Sequence, residues 1–66
     1  MLNVTKFAEM INAKNLNASV ACDMLVPVAD HFDMSMEAVK LHFQSICGAG
    51  SSMIKDIATE LEKRGF

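Results

Sequence analysis

The sequence has few cysteines, no long apolar run and no excess of basic residues, and each shortage argues against a class of protein. Its two cysteines, Cys22 and Cys47, are fewer than a small secreted disulfide scaffold carries, so we expect a reducing, cytoplasmic environment. No stretch reaches the roughly 18 apolar residues of a membrane span. Lys6 and Glu9 interrupt the segment where a signal peptide needs an apolar core. We therefore expect no membrane contact.

Basic residues are outnumbered by acidic ones, six to eight, which leaves a formal charge of -2 and an isoelectric point of about 5.5. A domain that is attracted unspecifically to nucleic acid is normally basic, so only a locally basic face is compatible with such binding here. Hydrophobic residues make up 52% of the 66 residues. Because so small a domain buries little of its surface alone, we expect a single helical domain, residues 1–66, that associates as a homodimer.

Apolar residues recur at helical spacing, and neither the alternation of a strand nor an internal repeat is present. This pattern predicts an all-α fold, a compact domain of four or five helices. The predicted helices cover approximately residues 3–14, 18–32, 36–46 and 52–64. The predicted N-caps are Asn3 or Thr5, Asn17, Ser35, and Ser51 or Ser52. Gly65 is expected to end the last helix.

The second predicted helix carries apolar residues on most of its sides, which indicates a central helix buried by several neighbours. Its main stripe recurs every four residues at Val20, Met24, Val28 and Phe32. Other small or apolar residues widen this stripe or continue it further round the helix, namely Ala21, Leu25, Cys22, Val26 and Ala29. Pro27 complicates this helix, since proline removes one backbone hydrogen bond and clashes with the preceding turn. Either the helix is kinked at Pro27, or it stops near Leu25 and a new helix starts at Pro27. We expect a break or a sharp kink.

Residues 27–43, PVADHFDMSMEAVKLHF, predict two helices joined by a tight turn at residues 33–35. Ser35 stands where an N-cap belongs, and Glu37 places a carboxylate in the first turn, where the helix dipole favours it. Small or apolar residues occupy the positions that hold the two helices of such a unit together. These are Val28, Ala29, Phe32, Met34, Val39 and Phe43.

Residues 28–43 resemble the helix-turn-helix of small bacterial and phage regulators. The family pattern is a small residue, a turn residue four later, an apolar residue, a polar cap, and a β-branched residue four after the cap. It is matched by Ala29, Asp33, Met34, Ser35 and Val39. The stretch VADHFDMSMEAVKLHF is also similar to the pattern LAxxFxVSxxAVxxRL of these domains. Asp33 replaces their usual turn glycine, and aspartate tolerates a left-handed backbone better than most residues.

The resemblance implies a small phage- or plasmid-type transcriptional regulator that binds double-stranded DNA as a homodimer, with the 36–46 helix in the major groove. The residues that would face the DNA are Ser35, Met36, Glu37, Lys40, Leu41 and Gln44. Only Lys40 among them is cationic, and Glu37 would repel phosphate. An alternative function is a protein–protein interaction module that inhibits or adapts a host protein without binding DNA. The negative charge and the methionine content favour this alternative, because exposed methionine adapts to varied partner surfaces.

Other chemistry-bearing residues do not form a convincing site. Cys22, His31, His42 and Cys47 are separated by 9, 11 and 5 positions, without the close cysteine pair of a zinc site. The Gly/Ser run at 47–52 follows a helix and lacks the Gly-Lys-Ser/Thr ending of a phosphate loop, so it is interpreted as a connector, with Gly48 as a helix C-cap. A catalytic Cys-His pair needs an orienting group and a cleft. We expect no enzyme activity, cofactor, metal or small-molecule substrate.

Overall fold

The structure is a computed structural model that describes residues 2–46 and 51–66. The described residues form α-helices and no strand, which confirms the predicted all-α fold with four helices. The helices are α1 (Val4–Ala13), α2 (Ala18–His31), α3 (Met36–Ile46) and α4 (Ser52–Lys63). The predicted Gly48 cap and most of the Gly/Ser connector lie outside the described residues. No helix in the described part of the chain has the length and apolarity needed to cross a membrane.

Polar side chains cap the first three helices at their N-termini. The side-chain oxygens of Asn3, Asn17 and Ser35 accept the backbone N–H three residues later, at 3.0, 2.9 and 3.1 Å respectively. These bonds satisfy amides that have no partner inside the helix. They confirm the predicted caps and select Asn3 over Thr5. Ser51 occupies the N-cap position of α4 without a side-chain hydrogen bond to the helix.

Residues with a left-handed backbone close the C-termini of α1, α2 and α4. They are Asn15 with φ 58°, Asp33 with φ 55° and Gly65 with φ 89°. In each case the following residue donates its N–H to the carbonyl five residues earlier, at 3.0, 2.8 and 3.2 Å respectively. This bond pairs a carbonyl of the last helical turn that would otherwise be unpaired. Asp33 thus adopts the left-handed conformation that glycine usually supplies in a turn of this kind.

Helix α2 is continuous through Pro27, so of the two predicted alternatives the one in which the helix stops near Leu25 is wrong. Proline at this position removes the amide that would pair with the carbonyl of Asp23. Asp23 and Pro27 are both exposed, which lets water take the place of the missing N–H. The solvent-facing position of Pro27 is the reason that the helix tolerates it.

Helix α4, rather than α2, is the centre of the packing, since it contacts α1, α2 and α3. Phe43 of α3 is fully buried, and its ring meets the ring of Phe7 edge-on at a centroid distance of 6.1 Å. The largest fully buried side chains come from all four helices. They are Phe43, Ile11, Leu25, Ile54, Ile57, Leu61, Val39 and Cys22.

The buried side of α2 is centred beside the main predicted stripe, on the residues that were predicted to widen it or to continue it round the helix. Its buried members are Ala21, Cys22, Leu25 and Ala29. Val20 and Phe32 are each 38% exposed, so the expectation that they line the core is wrong. Phe32 lies one residue beyond the end of α2, where the helical spacing no longer applies, and its ring packs edge-on against His31.

Candidate binding surface on helix α3

The segment from α2 to α3 has the local geometry of two helices joined by a short turn. Ala29, Val39 and Phe43 are buried as predicted, and Val28 and Met34 are half-buried against the same core. Phe32, which is 38% exposed, is the one packing residue of the predicted set that is neither buried nor packed against this core. The unit therefore holds α3 at the surface with one side anchored in the core and the other facing solvent.

Three of the six predicted site residues share one exposed face of α3. Glu37, Leu41 and Gln44 stand four and three residues apart, which places them on the same side of a helix. All three are exposed, and 56% of Leu41 is accessible to solvent. An apolar side chain thus lies between a carboxylate and an amide. We call these three residues the α3 face.

The other three predicted site residues make contacts within the protein. Ser35 is exposed, but its hydroxyl oxygen accepts the N–H of Ala38 as the cap of α3. Met36 is half-buried and packs against the core. Lys40 is half-buried, and its ammonium donates to the carbonyl oxygen of Phe66. The structure therefore does not bring the six residues together as one reading surface.

The cations of the chain are not gathered on α3. Lys40 is the single cation of that helix, and its contact with Phe66 draws it away from the exposed side. Arg64, which follows α4, is paired with Asp23 at 2.7 Å and with Glu60 at 3.1 Å. The remaining lysines belong to α4 or to α1 and its C-cap. Lysine and arginine side chains are common partners of DNA phosphates, and the one such side chain of α3 is in contact with Phe66.

Residues that the sequence prediction omitted extend the α3 face into an open depression. Ala38, His42 and Ser45 line it together with Leu41. The hydroxyl of Ser45 donates to the carbonyl oxygen of His42 at 2.8 Å. His42 and Ser45 also border a second groove, which is completed by Ile46 and by residues 2–5 at the start of α1. Helical spacing could have found Ala38 and Ser45, which stand three before and four after Leu41.

The thiol of Cys22 is buried and does not contribute to a surface site. Its Sγ donates to the carbonyl oxygen of Ile57 at 3.7 Å, and burial raises the pKa of this thiol to about 11. The thiolate is the nucleophilic and metal-binding form, so Cys22 is unreactive at neutral pH. Among residues 2–46 and 51–66, no group of three His, Cys, Asp or Glu side chains is arranged to hold a metal ion.

Comparison of the chain with models of protein families, with curated proteins and with solved structures gave no match. The distinctive feature of this surface is that the one cation of α3 contacts Phe66, while the large side chain at the exposed centre of the helix is apolar.

Proposed function

We propose that this chain is a small protein–protein interaction module, which binds a host protein as an inhibitor or adaptor through the α3 face. The observation that carries the proposal is the exposure of Leu41. At 56% it is the most exposed large hydrophobic residue in the described part of the chain. The same face offers no free cation for a phosphate, because Lys40 is bonded to Phe66.

The chemistry of the α3 face fits a protein partner better than a duplex. Covering a leucine side chain with apolar atoms contributes up to about 1.5–3 kcal/mol, and interfaces of this type have an apolar centre with a polar rim. Glu37 and Gln44 would supply that rim on either side of Leu41. Against DNA, Glu37 would face phosphates and Leu41 could contact only a thymine methyl group.

We place this activity in the cytoplasm, since the buried Cys22 thiol needs no oxidising environment. A second copy of the chain is the competing occupant of the α3 face. Sedimentation equilibrium of the wild type and of Leu41→Asp distinguishes the two occupants. A wild-type monomer supports a host protein as the occupant, whereas a dimer that Leu41→Asp dissociates would assign the face to self-association.

The experiment that tests the proposal is a capture from host lysate with matched variants, followed by titration calorimetry with the captured protein after its purification. We expect Leu41→Asp to abolish both capture and heat of binding. Val26→Asp is the control, because Val26 belongs to α2 and, at 52%, is almost as exposed as Leu41. Equal binding by wild type and Leu41→Asp would refute the proposal.

The second candidate is a helix-turn-helix transcriptional regulator of phage or plasmid type. The observation that favours it is the α2–turn–α3 unit, with Ser35 as cap and Asp33 left-handed in the turn. Fluorescence anisotropy with random-sequence duplex DNA, at low salt and at about 200 mM salt, tests it. Binding that weakens steeply with salt and is lost in Lys40→Glu would establish this candidate over the interaction module. No binding at low salt would eliminate it.

A further inference from the structure

The net negative charge of the chain is confined to residues 27–46. This segment contains Asp30, Asp33 and Glu37 against the single cation Lys40, a balance of -2. The rest of the chain carries five acidic and five basic residues and is neutral. The whole formal charge of -2 thus belongs to the end of α2, the turn and α3, which is the unit that presents Leu41.

These carboxylates are free to attract a partner. Asp30, Asp33 and Glu37 are exposed, and the ion pairs found within residues 2–46 and 51–66 are those of Arg64 with Asp23 and Glu60. Lys40, the cation nearest to them in the sequence, bonds to Phe66 instead. Glu37 stands one helical turn before Leu41, so a group that covers Leu41 also comes within reach of a carboxylate.

From these charges and from the proposed function, on which the inference rests, we infer that the partner segment is a basic amphipathic helix. Its apolar stripe would cover Leu41 and the adjoining depression formed by Ala38, His42 and Ser45. Its lysines or arginines would pair with Glu37 and with the acidic turn. A helix that lays its apolar side into such a depression is a common mode of peptide recognition, and complementary charge sets its orientation and speeds its association.

Partners of other chemistry fit this surface less well. An acidic segment would be repelled by the three carboxylates. A wholly apolar segment would leave Glu37 next to a dry contact without a cation, and such desolvation is unfavourable. The basic amphipathic class is the one that satisfies both the exposed leucine and the local charge.

Three synthetic helical peptides with the same leucine stripe test the inference. Their polar positions are all lysine, all glutamine or all glutamate, and binding to the full chain is followed by fluorescence anisotropy. We expect the lysine peptide to bind about tenfold more tightly than the glutamine peptide and the glutamate peptide not to bind. Raising the salt should bring the lysine and glutamine peptides closer together, because salt screens exposed charge.

Two variants and one control test whether the preference for the lysine peptide depends on Glu37 and whether peptide binding depends on Leu41. Glu37→Lys should remove the preference for the lysine peptide, and Leu41→Ser should weaken every peptide that binds. Glu62→Lys is the control, since it makes the same charge reversal at an exposed position of α4. Equal effects of Glu37→Lys and Glu62→Lys would overturn the inference, because the attraction would then follow net charge alone.

The remaining outcomes separate this inference from the proposed function. If the glutamine peptide binds as tightly as the lysine peptide and Leu41→Ser weakens both, the basic partner is wrong while the α3 face remains a binding surface. If no peptide shows binding that depends on Leu41, the amphipathic partner is wrong. The capture experiment with Leu41→Asp then decides the proposed function independently.

Discussion

The Cys22 side chain lies against α4, with 1% of its surface exposed and its Sγ bonded to the Ile57 carbonyl. Burial raises the pKa of its thiol from 9.0 to about 11, because a thiolate would lose its hydration there, and the nearby Arg64 offsets only part of this effect. The folded protein therefore keeps a proton that the unfolded chain releases. A difference of this kind links stability to pH.

We expect the contribution of Cys22 to stability to be complete below pH 9 and to be lost as the pH rises toward 11. The measurement is urea denaturation across this range in a Cys47→Ser background, so that one thiol titrates. Cys22→Ala in the same background is the control and should lose less stability over the range, because it has no buried thiol to titrate. Identical pH dependence in the two proteins would contradict the buried-thiol explanation.

Asp33 holds a left-handed backbone, φ 55°, on the exposed connection between α2 and α3. Residues with a Cβ are strained there and glycine is not, so Asp33→Gly should raise the free energy of unfolding by about 0.5–1 kcal/mol. Asp33→Ala should lower it by a similar amount. Chemical denaturation measures both.

Asn15→Gly provides the matched comparison, because Asn15 has φ 58° at the end of α1. Asn15→Gly should raise the free energy of unfolding by an amount similar to that of Asp33→Gly, because it relieves the same backbone strain. A loss of stability in Asp33→Gly beside a gain in Asn15→Gly would show that the Asp33 side chain has a role in the turn beyond its backbone conformation.

The starts and ends of the helices follow the sequence closely, because the caps are local chemistry. Asn3, Asn17 and Ser35 each bond to an amide three residues away, and their side chains alone predict where a helix begins. The continuity of α2 through Pro27 does not follow from local chemistry. The cost of a proline within a helix depends on whether the freed carbonyl faces water, and that is decided by how the helix packs.

Pro27→Ala should stabilise α2, since it restores the amide that pairs with the Asp23 carbonyl. The position is exposed and helical, so we expect a gain of about 1–3 kcal/mol in the free energy of unfolding. Thermal unfolding followed by circular dichroism is the measurement. Val26→Ala is the neighbouring control and should change stability far less. An unchanged or lower melting temperature for Pro27→Ala would mean that the proline conformation itself is required.

Arg64 joins α4 to α2, across 41 and 45 positions of sequence. Its guanidinium donates to Asp23 and to the Glu60 carboxylate, and also to the carbonyl oxygen and hydroxyl of Ser19 at 3.0 and 3.1 Å. The C-terminal end of α4 is thereby tied to the first turns of α2. A planar guanidinium makes these bonds simultaneously, which an ammonium cannot.

We expect Arg64→Ala to lower the melting temperature and to speed amide hydrogen exchange in the first turn of α2. Arg64→Lys should recover only part of the loss, because it keeps the charge without the forked donors. Lys63→Ala is the control, since Lys63 makes no ion pair with the described residues. Full recovery in Arg64→Lys would show that charge alone, and not hydrogen-bond geometry, joins the helices.

The candidate surface was predictable only in part, for reasons that concern the whole molecule. The row of Glu37, Leu41 and Gln44 follows from helical spacing alone. The engagement of Lys40 joins residues 26 positions apart, and no local pattern reveals it. Helical spacing places Phe32 and Val20 on the apolar stripe of α2, but which side of α2 is buried depends on where α4 packs.

Both ends of the described chain flank α3. Residues 2–5 border His42 and Ser45 on one side of that helix, and the carbonyl of Phe66 meets Lys40 on the other. A fluorophore attached within residues 2–5 would therefore lie beside the proposed binding surface and compete with whatever binds there. The exposed turn between α1 and α2, at Asn15, is the better attachment point for a reporter group.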